Sequence, residues 1–180
     1  MSSGMYYMAV VAPEEVNGKV KKFKEFMKER FGCTVALKSP AHITLIPPFW
    51  HDDTDEEKMK EWLKDFSKGK TEFPLELDGF SSFPPRVLFV KVKSSEALES
   101  LKSQLEDYLI DHSNLPVKKE TRSFHPHITI ANRDLMKRDY LPAWEHFRNM
   151  KYSANFTVKD LSLLKHNGTN WEIIYTADLI

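Results

Sequence analysis

The sequence predicts an α+β fold built by internal duplication, with antiparallel or mixed sheets and helices outside them. Three observations lead there. Strand-like and helix-like segments run strand, helix, strand, helix, strand, and that order then repeats. The second strand of each half carries the same three residues, His-Ile-Thr, at 42–44 and at 127–129. No Gly/Ser-rich or Pro-rich linker separates the halves, so both belong to one domain over 5–180, with lobes at about 5–85 and 86–180 and strand exchange between them allowed. Residues 1–4 are set aside as a polar tail or a cloning remnant.

Each element has its own signal. Tyr6–Val11 (YYMAVV) is a short apolar run of aromatic and β-branched residues, which predicts a buried strand. Glu14–Phe31 places Val16, Val20, Phe23, Phe26 and Met27 at helical spacing, with acids first and bases late, as the helix dipole favours. Gly32 stops that helix. Ala41–Ile46 (AHITLI) predicts a strand halted by Pro47 and Pro48. Asp53, Thr54 and Asp55 predict the cap of a helix carrying Met59, Trp62, Leu63 and Phe66 on one face. Phe73–Phe83 predicts a strand bent or bulged at Gly79. Arg86–Val92 (RVLFVKV) predicts a strand, and Ser94 or Ser95 caps a helix through Ile110. Phe124–Ala131 predicts a strand, and Asp134–Met150 a helix divided or kinked at Pro142. The tail predicts strands at 152–158, 160–164 and 171–179, with Asn167 and Gly168 turning between the last two.

Composition narrows the function. A chain of 180 residues buries roughly 70% of its unfolded surface and needs no metal or disulfide to fold. Twenty-six basic residues against twenty-six acidic ones leave no surplus with which to release counterions from duplex DNA. A small phosphate-bearing ligand held by a few local donors remains compatible. The single cysteine, Cys33, suits a reducing cytoplasm. No run approaches 18 apolar residues and the start lacks a signal-peptide pattern, so neither membrane insertion nor secretion is expected.

The duplicated strand carries the chemistry. Residues i and i+2 of a strand share a face, so His42 with Thr44, and His127 with Thr129, each present an imidazole and a hydroxyl about 6–7 Å apart. Ile43 and Ile128 face the other way. If the halves pack about a pseudo-twofold axis, both pairs meet across one cleft. Two imidazoles with pKa near 6.5 serve as one base and one acid, each contributing about 10²–10⁴-fold. One deprotonates an attacking water or hydroxyl while the other protonates a departing ribose oxygen. Two threonine hydroxyls donate to non-bridging phosphate oxygens, where charge builds. Neither metal nor cofactor is required. A lone His-x-Thr on a strand is ordinarily a satisfied, partly buried histidine; its repetition on matching strands is what favours chemistry.

The stretches Pro40-Ala41-His42-Ile43-Thr44-Leu45 and Phe124-His125-Pro126-His127-Ile128-Thr129-Ile130, with the order of elements from Tyr6 to Leu179, resemble the 2H phosphoesterase superfamily, in its 2′-5′ RNA ligase-like (LigT-like) branch. The resemblance implies a bilobal α+β fold with a central cleft. It also implies metal-independent hydrolysis or ligation of 2′,3′-cyclic or 2′-5′ phosphodiester bonds in RNA ends or nucleotides. His42 and His127 would then be the acid–base pair, unassigned as to which is which, and Thr44 and Thr129 the phosphate holders. Two departures bear on the substrate: Lys165 and His166 stand where the family often has a small hydroxyl residue, and Pro47-Pro48-Phe49-Trp50 follows the first motif.

Further candidates carry ordinary alternatives. Arg122 is a phosphate contact or a solvated loop charge, and Phe124 a stacking surface for a base. Lys165 and His166 are phosphate contacts at the closing edge of the cleft. Phe49, Trp50, Phe80 and Phe83 form a nucleobase platform or pack in the core. Two other functions stay open: a module that binds a nucleotide or RNA end in the same cleft without turnover, and a metal-dependent hydrolase around His125 and His127.

Overall fold

The computed structural model describes residues 2–180. Eight strands and four helices follow one another as β1 (Ser3–Val11), α1 (Glu14–Phe31), β2 (His42–Asp52), α2 (Glu56–Ser67), β3 (Phe73–Phe83), β4 (Val87–Val92), α3 (Glu96–His112), β5 (His127–Ala131), α4 (Lys137–Phe147), β6 (Ser153–Val158), β7 (Asp160–His166) and β8 (Trp171–Asp178). They form two antiparallel four-stranded sheets, ordered β2-β1-β7-β8 and β5-β4-β3-β6. No helix among the described residues is long and apolar enough to cross a membrane.

The two orders correspond strand for strand. In each sheet a His-Ile-Thr strand occupies one edge, and the neighbouring strand feeds it through a helix: β1-α1-β2 in one, β4-α3-β5 in the other. The sheets are not the two halves of the sequence, however. β3 joins the second sheet, and β7 and β8 return to the first, so no cut near residue 85 separates them. Residues 3–4 are also part of the fold rather than a tail. They open β1, and the Ser2 carbonyl accepts from the Asp53 amide at 3.0 Å.

β1 explains why its sequence reads as a continuous apolar run. Tyr6, Met8 and Val10 enter the main core on one face, while Tyr7 and Ala9 join Leu164 in a small apolar cluster on the other. Strand alternation requires something of this kind when both faces are covered. Helix α1 buries Val16, Val20, Phe23 and Met27 and ends at Gly32, whose φ of 71° is left-handed. Each such large apolar side chain contributes about 1.5–3 kcal/mol when buried.

Elsewhere the elements depart from expectation for identifiable reasons. Pro47 and Pro48 do not halt β2. They oppose the single residue Tyr7 of β1 in a bulge on an edge strand, where a missing N–H costs little. β3 is likewise bulged at Gly79, whose φ is 73°. β5 begins at His127 rather than Phe124, because Pro126 has no N–H to give the ladder. Pro142 lies inside α4 without dividing it; Arg138, whose carbonyl loses a partner there, is exposed to water. A 3₁₀ turn at Asp53–Asp55, capped by the Asp52 side chain, precedes α2.

Candidate active site

β2 and β5 approach one another at the junction of the two sheets. His42 and His127 are half-buried, Ile43 and Ile128 fully buried, and Thr44 and Thr129 half-buried, so the two motifs have the same exposure residue by residue. On their partner strands His42 opposes Val11 and Thr44 opposes Ala9, while His127 opposes Lys91 and Thr129 opposes Phe89. Each pairing carries a bulge close to the motif, between Met8 and Ala9 in one and between Leu88 and Phe89 in the other. Bulges of this kind re-aim edge side chains.

The imidazoles are held alike. His42 Nδ1 lies 2.7 Å from the carbonyl oxygen of Pro40, and His127 Nδ1 lies 2.7 Å from that of His125. A carbonyl only accepts, so each Nδ1 carries the hydrogen and each neutral ring leaves Nε2 as an acceptor. Their surroundings differ. Burial pulls His42 down to about 4, opposed by its bond to Pro40 and helped by the nearby positive charges of Lys24 and His127. His127 is lowered too, again chiefly by burial, with a contribution from His125. Its ring packs against Phe83 at 5.2 Å and Phe89 at 5.0 Å.

His42, Thr44 and Thr129 line a cleft of about 320 Å³; His127 is not among its lining residues, but lies near enough to His42 for its charge to be felt there. Its other walls include Tyr7, Lys24, Asn132, Arg133, His166 and Trp171. The chain as a whole is neutral, yet this wall holds two basic side chains, Lys24 and Arg133, and, among the described residues, no carboxylate. Lys24 reaches in from α1, donates to the Ser39 carbonyl at 3.0 Å, and has no acidic partner among the described residues. Burial lowers its pKa to about 8. Buried cations are ordinarily paired, so an unpaired one beside two imidazoles favours an anion in the cleft. The Tyr7 hydroxyl lies beside Ser39 without completing a hydrogen bond, and Asn132 Oδ1 is also buried unpartnered. Tyr7 holds the His42 ring from one side at 4.9 Å and meets Trp171 at 4.6 Å on the other.

The remaining sequence candidates scatter. His166 lines the cleft, with Nδ1 accepting from the Gly168 amide at 3.2 Å, which leaves Nε2–H to donate. Lys165 does not line it; its ammonium lies 2.7 Å from Glu56 on the opposite face of β7, where Tyr6 also lies. Successive strand residues point to opposite faces, so only one of the two can reach the cleft. Arg122 is 89% exposed and pairs with Glu120 at 3.4 Å. Phe124 sits under the Lys102 ammonium, away from the cleft wall. Phe49 and Phe80 are core residues, Trp50 is exposed, and Phe83, 38% exposed, stands beside His127. His125 is exposed, and among the described residues no three His, Cys, Asp or Glu side chains converge as a metal site would require.

Sequence reasoning missed Lys24, Tyr7, Asn132, Arg133 and Trp171. One of them had a signal: positions 20, 23, 24 and 27 form the apolar stripe of α1, and Lys24 interrupts it.

Fold and family agree on the class. The profile of the 2′-5′ RNA ligase superfamily matches residues 12–170, and the chain belongs to that superfamily, the 2H phosphoesterases. A protein of Geobacillus sp. (strain WCH70), provisionally named a phosphoesterase, is 33% identical over 165 residues, 88% of either chain. A second from Geobacillus kaustophilus (strain HTA426), with the same provisional name, is 31% identical over 176 residues, 96% of this chain and 95% of its own. Among solved structures, E. coli LigT complexed with 3′-AMP matches with a TM-score of 0.69 at 17% identity, over 99% of both chains. The protein TT0787 of Thermus thermophilus matches at 0.67 and 18%, over 97% of both. At such identities these two likenesses are of fold.

Proposed function

We propose that the cleft opens 2′,3′-cyclic phosphodiesters, or cleaves 2′-5′ ones, at RNA ends or nucleotides, by acid–base catalysis between His42 and His127. The observation that carries the reading is the matched tethering of the two rings. Each Nδ1–H is tied to a backbone carbonyl, so both Nε2 atoms are free for proton transfer. His42, the ring with the stronger bias toward neutrality, is the base. It takes the proton of the attacking water as the new P–O bond forms. His127, protonated on Nε2, gives its proton to the ribose oxygen as the old P–O bond breaks. Thr44 and Thr129 donate to the non-bridging oxygens, Lys24, Arg133 and the His166 Nε2–H add positive charge or donors, and Phe83 offers a face for a base. The ligands solved with E. coli LigT (3′-AMP, NADP+ and ATP) are nucleotides, the substrate class this reading requires.

The test is incubation with 2′,3′- and 3′,5′-cyclic nucleotides and 2′-5′ dinucleotides in EDTA, with products followed by phosphorus NMR. Opening of the 2′,3′-cyclic or 2′-5′ substrates is expected, with His42→Ala and His127→Ala each losing at least about 10²-fold. Turnover that survives both substitutions refutes the mechanism. Tight binding of cyclic nucleotides without product would leave a binding module in its place.

A further inference from the structure

Beyond His42 the cleft does not end. Lys24, Ser39 and Trp171 form a partition, lining the cleft on one side and a second cavity of about 270 Å³ on the other. This second cavity is walled by the start of β8, by the turn before β2, and by the face of α1 that carries Lys21 and Lys24. Lys38 closes it from the 3₁₀ turn Val35–Lys38. Three lysines thus line one small space. Among the described residues no carboxylate lines it, and none of the three lysines makes an ion pair. The remaining polar wall is Asn17 and Asn170, which are uncharged.

Unpaired lysines also occur on the open surface, but those of this cavity line one concavity, and one of them is buried. Lys24 is only 4% exposed, so its charge has lost most of its water without gaining an acid. An arrangement that holds like charges together in a concavity is stabilised by an anion, and its partition with the catalytic cleft fixes where that anion belongs.

We infer that the cavity lined by Lys21, Lys24 and Lys38 is a second anion pocket, which takes a phosphate of the substrate other than the one that reacts. The inference rests on the proposed reading of the cleft as a phosphodiester site and deepens it. The preferred substrate carries a further phosphate beyond the reacting nucleoside, as an RNA end or a 5′-phosphorylated nucleotide does, and Trp171 stands between the two phosphates as a wall for the sugar or base. A cyclic mononucleotide with a free 5′-hydroxyl leaves the pocket empty.

The experiment compares kcat/KM for adenosine 2′,3′-cyclic phosphate with and without a 5′-phosphate. A preference of about tenfold for the 5′-phosphorylated substrate is expected, the scale of one hydrogen bond to a charged group. The double variant Lys21→Gln/Lys38→Gln should bring that ratio close to one. A charge-matched control on exposed positions of α1, Lys22→Gln/Lys28→Gln, should keep the wild-type ratio. If the double variant does not fold, added salt provides the second readout, since it should erode the wild-type preference. A wild-type ratio near one, with the cyclic ester opened all the same, overturns the pocket and leaves the catalytic reading standing. Activation of the 5′-hydroxyl substrate by inorganic phosphate to the same level also overturns it, in favour of a free ion. If neither substrate is opened, calorimetry with adenosine 3′,5′-bisphosphate and adenosine 3′-monophosphate separates the claims. Tighter, Lys21- and Lys38-dependent binding of the bisphosphate keeps the pocket and discards the catalyst, whereas equal binding discards both.

Discussion

The Lys102 ammonium on α3 lies 3.0 Å from the carbonyl oxygen of Leu45, the residue that follows Thr44 in the first motif. The same ammonium lies 3.0 Å from Glu106 one turn on and 5.2 Å over the ring of Phe124, just ahead of the second motif. Glu106 uses its other oxygen to accept from the Glu120 amide at 2.6 Å. One buried ion pair therefore links the edge of β2 to the chain that leads into β5. A buried pair is tolerable only when its remaining hydrogen-bonding capacity is used, as it is here. Lys102→Met, which strands Glu106, should lower stability by about 3–5 kcal/mol in urea unfolding. Adding Glu106→Leu should recover part of that loss, and a single variant that unfolds like the wild type would show that the pair stabilises nothing.

In the proposed mechanism the two histidines set the pH dependence. Both are biased toward neutrality, His42 to about 4 and His127 to a value below its usual one. The free enzyme with one ring neutral and the other protonated is therefore most abundant below pH 6.5. The profile of kcat/KM should be a bell centred on the acidic side of 6.5. An anionic substrate favours the protonated rings, so the kcat profile should lie at higher pH than that of kcat/KM. Coincident profiles centred above pH 7 would contradict this account.

The same shift has a sign for stability. In the unfolded chain His42 binds a proton near pH 6.5, whereas the folded protein resists doing so until about 4. The unfolded state holds more protons across that window. Urea midpoints should thus fall as pH drops from 6.5 toward 4, and His42→Gln should flatten part of that slope.

Lys24 sets function against stability. Its unpaired, buried charge is unfavourable in the empty protein, so Lys24→Met should leave the melting temperature unchanged or higher, even with the Ser39 carbonyl losing a donor. Phosphate and nucleotide affinity should drop by at least about tenfold. The acid limb of kcat/KM should move up, because the charge that disfavours protonation of His42 is gone. A lower melting temperature with unaltered binding would mean that the side chain merely packs.

Asp134 fastens the far wall. Its Oδ2 accepts from the amides of Thr34, at 2.6 Å, and Val35, at 3.0 Å, joining the loop after β5 to the 3₁₀ turn beside the cleft. Asp134→Ala should lower stability by about 1.5–3 kcal/mol and raise KM by freeing Arg133, whereas Asp134→Asn should retain much of both. Unfolding curves and steady-state kinetics on the pair of variants decide it.

Much of this was legible in the residues and some was not. Local pattern gave α1 end to end, the bulge at Gly79 and the presence of both motif strands, since each depends on neighbours in sequence, but it ended β2 too early and began β5 too soon. The return of β7 and β8 to the sheet of β1 was not legible, because strand partnership is decided by packing between segments more than 100 residues apart. Strand alternation already forbade Lys165 and His166 from sharing a face. Lys24 announced itself as a charge inside an apolar stripe. Arg133 had no such mark; only the path of the loop after β5 brings it to the cleft.

The two motif strands lie at the margins of separate sheets, and no backbone ladder crosses from β2 to β5. Side-chain ties flank the seam: Lys102 to the Leu45 carbonyl, and Asp134 to the amides of Thr34 and Val35. The spacing between the two imidazoles is therefore set outside both hydrogen-bonded ladders, while each ring keeps its own backbone tether.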